Sequence, residues 1–143
     1  MIRIVDTYDG ILELLSVFLP YLDSLSSRRV KPEEMARKFI VYGTVLELCE
    51  NGSGIGFCSF YHNDKRNKRG YLSMIAVLPE AEGKGYAAKL IKEVERICRS
   101  DDMQRICLEV RNDNCRAIRF YQKHGYTIKE ELNGQIILMA KAL

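Results

Sequence analysis

The chain is 143 residues long, 47% hydrophobic and 29% charged, the size and balance of one folded domain rather than of two undersized ones or of a disordered segment. Its 22 Lys and Arg against 19 Asp and Glu leave a net charge of +3, too weak a field to demand nucleic acid or a membrane surface as partner. Five cysteines form no C-x-x-C pair and His62 and His124 are the two histidines, so no zinc site of ordinary spacing is visible, no metal is expected, and free thiols in a reducing cytoplasm are the plain reading.

The chain opens on no charged-then-apolar leader, and no apolar run reaches the ~18 residues of a membrane span, so a cytoplasmic protein without a membrane partner is expected. Ile2-Arg3-Ile4-Val5 is a strand candidate. Asp9 suits the cap of a helix in which Ile11, Leu12, Leu15, Phe18, Leu19 and Leu22 recur at helical spacing. Pro20 kinks or ends it. Ser24 to Lys31 is polar and basic and reads as a loop. Pro32 then fits a first helical position with Glu33 and Glu34 at the positive end. Met35, Ala36, Phe39 and Ile40 form the expected inner face, and Gly43 the stop.

The period then changes. Thr44 to Cys49 and Ile55 to Tyr61 read as strands around Asn51-Gly52-Ser53-Gly54, a hairpin signal. The run Lys65-Arg66-Asn67-Lys68-Arg69 lies in a basic turn; without interleaved aromatic residues for base stacking it reads as a solvated loop, not an RNA-binding surface. Tyr71 to Leu78 is nearly all apolar, as a central strand covered on both faces would be. From Gly85 to Arg99 a helix carries Ala87, Leu90, Ile91, Val94, Ile97 and Cys98 on one stripe, with Lys89, Lys92, Glu93, Glu95 and Arg96 mostly off it. Arg105 to Val110 is a strand, and Asn112, Asp113 or Asn114 can cap a helix that ends near His124 with Gly125 as left-handed stop. Tyr126 to Leu132 and Gln135 to Ala140 are strands around Asn133-Gly134. The order β-α-α-β-β-β-α-β-α-β-β implies an α/β (α+β) single domain over residues 1–143, a mixed sheet of about seven strands with helices on both faces.

Between Leu78 and Ala88 a buried strand ends, a short glycine loop follows and a helix begins. The first turn of a helix presents unpaired N–H groups and partial positive charge, and glycines let that backbone approach an anion such as a pyrophosphate. A tight turn with nothing bound explains the same residues. Gly83-Lys84-Gly85-Tyr86-Ala87-Ala88 also spells the dinucleotide fingerprint G-x-G-x-x-A, but there the first glycine follows the strand almost directly, and here Pro79 to Glu82 intervene. The second informative segment runs from Asn114 to Tyr126.

Together the two segments resemble the GNAT superfamily of acyl-CoA-dependent N-acetyltransferases. The family's loop reads Gln/Arg-x-x-Gly-x-Gly/Ala, which Glu82 to Ala87 matches except at the first position. Its later block reads roughly Asn-x-x-Ala-Ile/Arg-x-Phe/Leu-Tyr-x-x-x-Gly-Phe/Tyr, matched by Asn114, Ala117, Ile118, Phe120, Tyr121, Gly125 and Tyr126. The resemblance is specific from about Tyr71 to Tyr126 and implies transfer of an acetyl group from acetyl-CoA to an amine acceptor, a small molecule or a protein amine. It implies that Ile75, Ala76 and Val77, after a bulge in the fourth strand, pair with the pantetheine arm, and that the Val77 amide polarises the thioester carbonyl. Gly83, Lys84, Gly85, Tyr86, Ala87 and Ala88 would hold the pyrophosphate, and the thioester would lie in the gap where the fourth and fifth strands splay. Tyr121 would protonate the leaving thiolate. Asn114 could bond the pantetheine, cap its helix, or both.

Glu82 departs from the pattern, since a carboxylate beside phosphate is repulsive unless it turns outward; Lys84 is the expected offset. Tyr71 to Leu78 holds no carboxylate to act as base. Glu109 is the best remaining candidate, with pairing to Arg105 or Arg111 as its plainer role; His62, at a strand end and expected exposed, is weaker. Cys115 and His124 do not make a thiol dyad, because nine residues of helix hold them about 13 Å apart. A non-catalytic CoA-binding sensor or partner-binding module is the alternative function. Tyr21, Asp23, Ser24, Arg28 and Arg29 lie where such families shape the acceptor pocket, and the last strands leave a homodimer open.

Overall fold

Two Asn-Gly pairs organise the sheet. Asn51 (φ 52°) and Gly52 (φ 78°) turn β2 (Gly43–Glu50) into β3 (Ser53–Asp64), and Asn133 (φ 43°) and Gly134 (φ 74°) turn β6 (Thr127–Leu132) into β7 (Ile136–Ala142). Paired positive φ values give turns whose twist matches that of the flanking strands. With β1 (Ile2–Ile4), β4 (Arg69–Val77) and β5 (Arg105–Arg111) they build one seven-stranded sheet in the order β1-β2-β3-β4-β5-β7-β6. Every neighbouring pair is antiparallel except β4 with β5. The computed structural model describes residues 1–22 and 31–143; Asp23, Ser24, Arg28 and Arg29, with the rest of 23–30, lie outside the described residues.

Four α-helices among the described residues cover the sheet on both sides, as the element order implied. α1 (Tyr8–Phe18) and α2 (Pro32–Tyr42) bury Ile11, Leu15, Phe18, Met35, Ala36 and Phe39 on one face, where Phe18 stacks on Phe57 at 5.2 Å. α3 (Tyr86–Ser100) and α4 (Cys115–Lys123) lie on the other, with Leu90, Ile91 and Val94 packed against Leu46, Phe60 and Leu108. None of these helices is long and apolar enough to cross a membrane.

The α1 cap differs from expectation. Thr7, not Asp9, precedes the helix, and its Oγ1 accepts the Gly10 N–H at 3.1 Å. Asp9 sits inside the first turn, where its charge faces the helix dipole. A Cβ on Gly10 would stand 2.7 Å from that same Thr7 Oγ1, so the capping contact itself requires glycine there. Thr7→Ala is expected to cost roughly 1 kcal/mol, read as a few degrees in Tm by thermal denaturation. Ile40 also differs: α2 ends two residues later and Ile40 is 40% exposed, turned off the stripe that Met35, Ala36 and Phe39 define.

The largest difference concerns Glu95, grouped by the sequence with the solvent-facing charges of its helix. It is 5% exposed. Its Oε2 accepts the Tyr126 hydroxyl and its Oε1 accepts Lys141 Nζ, each at 3.0 Å. The basic turn meets acids instead of solvent alone: Lys65 pairs with Asp101, Lys68 with Asp102 at 3.0 Å, and Arg69 with Asp64 at 3.8 Å. His62 is not a free strand-end side chain. Its Nε2 lies 2.8 Å from Thr44 Oγ1 and its Nδ1 2.7 Å from Asp101 Oδ2.

Two features of β4 decide where the sheet opens. Phe60 faces Leu72 and Ser59 faces Met74 across the β3–β4 ladder, so Ser73 is an extra residue, a bulge that re-phases the strand. Leu72 therefore packs in the α3 layer while Met74 and Ala76 pack in the α1–α2 layer. The parallel pairing of β4 with β5 covers Arg69 to Leu72 against Arg105 to Leu108 and stops there.

Candidate active site

Beyond Leu72 and Leu108 the sheet parts, and a cleft of about 780 Å³ occupies the gap. The backbone of β4 forms one wall. Leu78 N–H donates to Ile55 O of β3 at 2.9 Å. Successive backbone groups of a strand point to opposite edges, so the Val77 N–H is turned away from β3, toward the cleft. Ile75, two residues back, is turned the same way. Both residues line the cleft, as does Ala76 between them.

The glycine loop closes the next side. Pro79–Ala81 makes a single 3-10 turn after the strand, with Ala81 buried beneath it. Gly83 (φ 78°) and Gly85 (φ 82°) then take left-handed backbone, and Gly85 caps α3 without a side-chain hydrogen bond. A Cβ on either glycine would meet nothing within 4 Å; the backbone angle, not space, calls for glycine. The first-turn N–H groups of α3 are left for an anion. Gly83, Gly85, Tyr86, Ala87 and Ala88 line the cleft, and Lys84 does not. Glu82 lines the cleft as well and is paired there with Arg116 of α4, whose Nη1 donates to Oε2 at 3.0 Å. The offset to this carboxylate thus comes from another element, not from Lys84.

α4 supplies the third wall. Asn114 caps it, its Oδ1 accepting the Ala117 N–H at 3.2 Å, and also lines the cleft. Both roles considered for it remain compatible. Tyr121 is 8% exposed and its ring sits edge-on to Phe120 at 5.3 Å and to Tyr126 at 5.8 Å. Burial, with a smaller contribution from the neighbouring Cys58 thiol, pushes its phenol well above the usual tyrosine range. The hydroxyl is therefore protonated whenever the protein is folded at ordinary pH.

Glu109 stands on β5 one residue past the last β4–β5 pair and lines the cleft. The pairing with Arg105 or Arg111 is not made: Arg111 binds Asp113 at 2.9 Å, and Glu109 forms no ion pair among the described residues. Its charge is felt by Tyr71, whose phenol is pushed up to about 12, chiefly by burial and then by Glu109. Tyr61, Tyr71, Ser73 and Lys38 also line the cleft and were not singled out from the sequence. The tyrosines could have been found from the β3–β4 hairpin, because its register sets Tyr61 opposite Tyr71. His62 lies outside the cleft lining. No group of three His, Cys, Asp or Glu among the described residues stands together as metal ligands would.

The profile of the acetyltransferase (GNAT) family matches residues 8–126. Among characterised relatives, the spermine/spermidine N(1)-acetyltransferase of Bacillus subtilis (strain 168) is 28% identical over 106 residues, covering 68% of this chain and 70% of that protein. The ribosomal-protein-S18-alanine N-acetyltransferase of Escherichia coli superposes with a TM-score of 0.81 at 18% identity, covering 99% of this chain and 94% of that one. A GNAT family acetyltransferase from Elizabethkingia anophelis, solved with acetyl-CoA bound, superposes at 0.74 with 18% identity, covering 100% and 97%. These structural likenesses speak for the fold.

Proposed function

We propose, from the premise that this chain belongs to the acetyltransferase (GNAT) family, that it moves an acetyl group from acetyl-CoA to an amine by direct attack in a ternary complex. The observation that carries this reading is the convergence in one cleft of an unpaired strand edge, a glycine-capped helix start and a buried phenol.

The donor set fits the substrate. An extended amide arm can pair with the outward groups of Ile75 and Val77 as an added strand would. A pyrophosphate meets the first turn of α3 at Gly83 to Ala88, with Asn114 near the arm. The amine nitrogen attacks the thioester carbon, a C–N bond forms and the C–S bond breaks. Val77 N–H donates to the carbonyl oxygen as negative charge develops, a contribution worth about 2.7–4 kcal/mol in other enzymes. Tyr121 gives its proton to the departing thiolate. The proton lost by the amine goes to Glu109 or through water from it.

Two measurements test this. Acetyl-CoA should raise the Tm of the protein, and thiol should appear only when an amine is supplied. Stabilisation without thiol release across an amine panel would favour a CoA-binding sensor instead. Gly85→Val places a β-branched residue at a left-handed position, with a strain of roughly 1–2 kcal/mol. It also crowds the phosphate-facing turn. Acetyl-CoA affinity measured by calorimetry is expected to fall at least about tenfold, the equivalent of ~1.4 kcal/mol.

A further inference from the structure

The floor of the cleft away from the glycine loop is a row of four side chains crossing four elements in order. Lys38 of α2 holds its Nζ 5.4 Å from the centre of the Tyr61 ring. Tyr61 of β3 stands directly opposite Tyr71 of β4. Tyr71 is paired in register with Cys107 of β5, and Glu109 follows two residues on, on the same side of that strand. All four of Lys38, Tyr61, Tyr71 and Glu109 line the cleft.

The row is polarised. Glu109 is a carboxylate beside the point where β4 and β5 part, and Lys38 is a cation at the other end. Neither makes an ion pair among the described residues, and both are exposed where they line the cleft, open to a ligand there. Between them are two neutral phenols, and burial pushes both up to about 12, with Glu109 adding to the shift at Tyr71. Adjacent strands are ~4.8 Å apart, so Tyr61 and the Cys107 position on β5 are about two strand spacings apart, roughly 10 Å, and Lys38 and Glu109 extend the row beyond either end.

From this we infer that the acceptor is an amine carrying an anionic group at its far end. The amine sits at Glu109, beside the thioester gap, the chain crosses the Tyr61–Tyr71 floor, and a carboxylate or similar anion meets Lys38. A diamine or polyamine would present its second cation to Lys38 and be repelled. This inference rests on the acetyl-transfer reading above and specifies its acceptor.

The test uses a series of straight-chain ω-aminocarboxylates, their methyl esters and the diamines of equal length, each with acetyl-CoA, following thiol release. At the best length the aminocarboxylate should exceed both others in kcat/KM by about tenfold, the size of one charge-assisted contact. Lys38→Ala should remove that advantage and leave the methyl ester within about twofold of its original value, and Lys38→Glu should turn preference toward the diamine. Diamines equal to or better than aminocarboxylates overturn the inference, as does a Lys38→Ala change that lowers all three classes alike. Thermal stabilisation by acetyl-CoA without turnover of any aminocarboxylate overturns it too, while leaving the cofactor reading in place. Failure of acetyl-CoA to bind removes the acetyl-transfer reading itself and this inference with it.

Discussion

Tyr121→Phe is expected to lower amine-dependent thiol release by roughly 10²–10⁴-fold, the range that a positioned acid contributes. The variant keeps the ring between Phe120 and Tyr126 and loses only the hydroxyl, so its Tm and its stabilisation by acetyl-CoA should stay close to those of the parent. That separation matters, because a fall in turnover with binding preserved places the loss in the chemical step. The pH dependence has a definite sign. Burial favours the neutral phenol, so the proton to be donated stays in place as pH rises through the ordinary tyrosine value of ~10. Any loss of rate at lower alkaline pH belongs to another group. Unchanged turnover in the Phe variant across the pH range would sink the assignment.

The largest expected change in stability comes from Glu95→Ala. Glu95 is a buried carboxylate that satisfies two donors at once, the Tyr126 hydroxyl and Lys141 Nζ. Removing it leaves a buried phenol without its acceptor and a partly buried ammonium without its counter-charge. Losing one partner of a buried pair costs about 3–5 kcal/mol. Lys141 can regain some water, since its side chain is 24% exposed, so the lower end of that range is expected. For a chain of this length the corresponding fall in Tm is roughly 10 °C. Glu95→Gln keeps an acceptor for Tyr126 and should cost markedly less. Chemical denaturation of the two variants side by side checks both the size and the order, and an Ala variant within about 1 kcal/mol of the parent would contradict the account.

What could be read from the sequence was what depends on neighbours in the chain. Asn51-Gly52 and Asn133-Gly134 are local turns, the Tyr71–Leu78 run declares a covered strand, and Gly85 and Gly125 bracket two helix ends by their backbone freedom. The left-handed values at Gly85 and Gly125 agree with that reading, and most of the residues assigned to the cofactor do line one cleft. What escaped depends on partners far along the chain. Glu95 looked solvent-facing because its partners are 31 and 46 residues away. Arg116 could not be matched to Glu82, 34 positions earlier, until α4 was placed beside the loop. The bulge at Ser73 agrees with what the family resemblance implied for the fourth strand, but it leaves no mark in composition, because either phase of a nearly all-apolar strand reads the same. Thr7 and Asp9 are both good capping residues, and the choice fell to the one whose backbone is extended ahead of Gly10.

The short parallel pairing of β4 with β5 makes the sheet two leaves joined along one narrow strip. One leaf is β1 to β4 with α3 laid across β2, β3 and β4, and the other is β5 to β7. Glu95 rides on the first leaf, Tyr126 and Lys141 belong to the second, and none of the three borders the cleft. One buried carboxylate on the first leaf thus grips two residues of the second, a clasp between the leaves that lies outside the cleft lining.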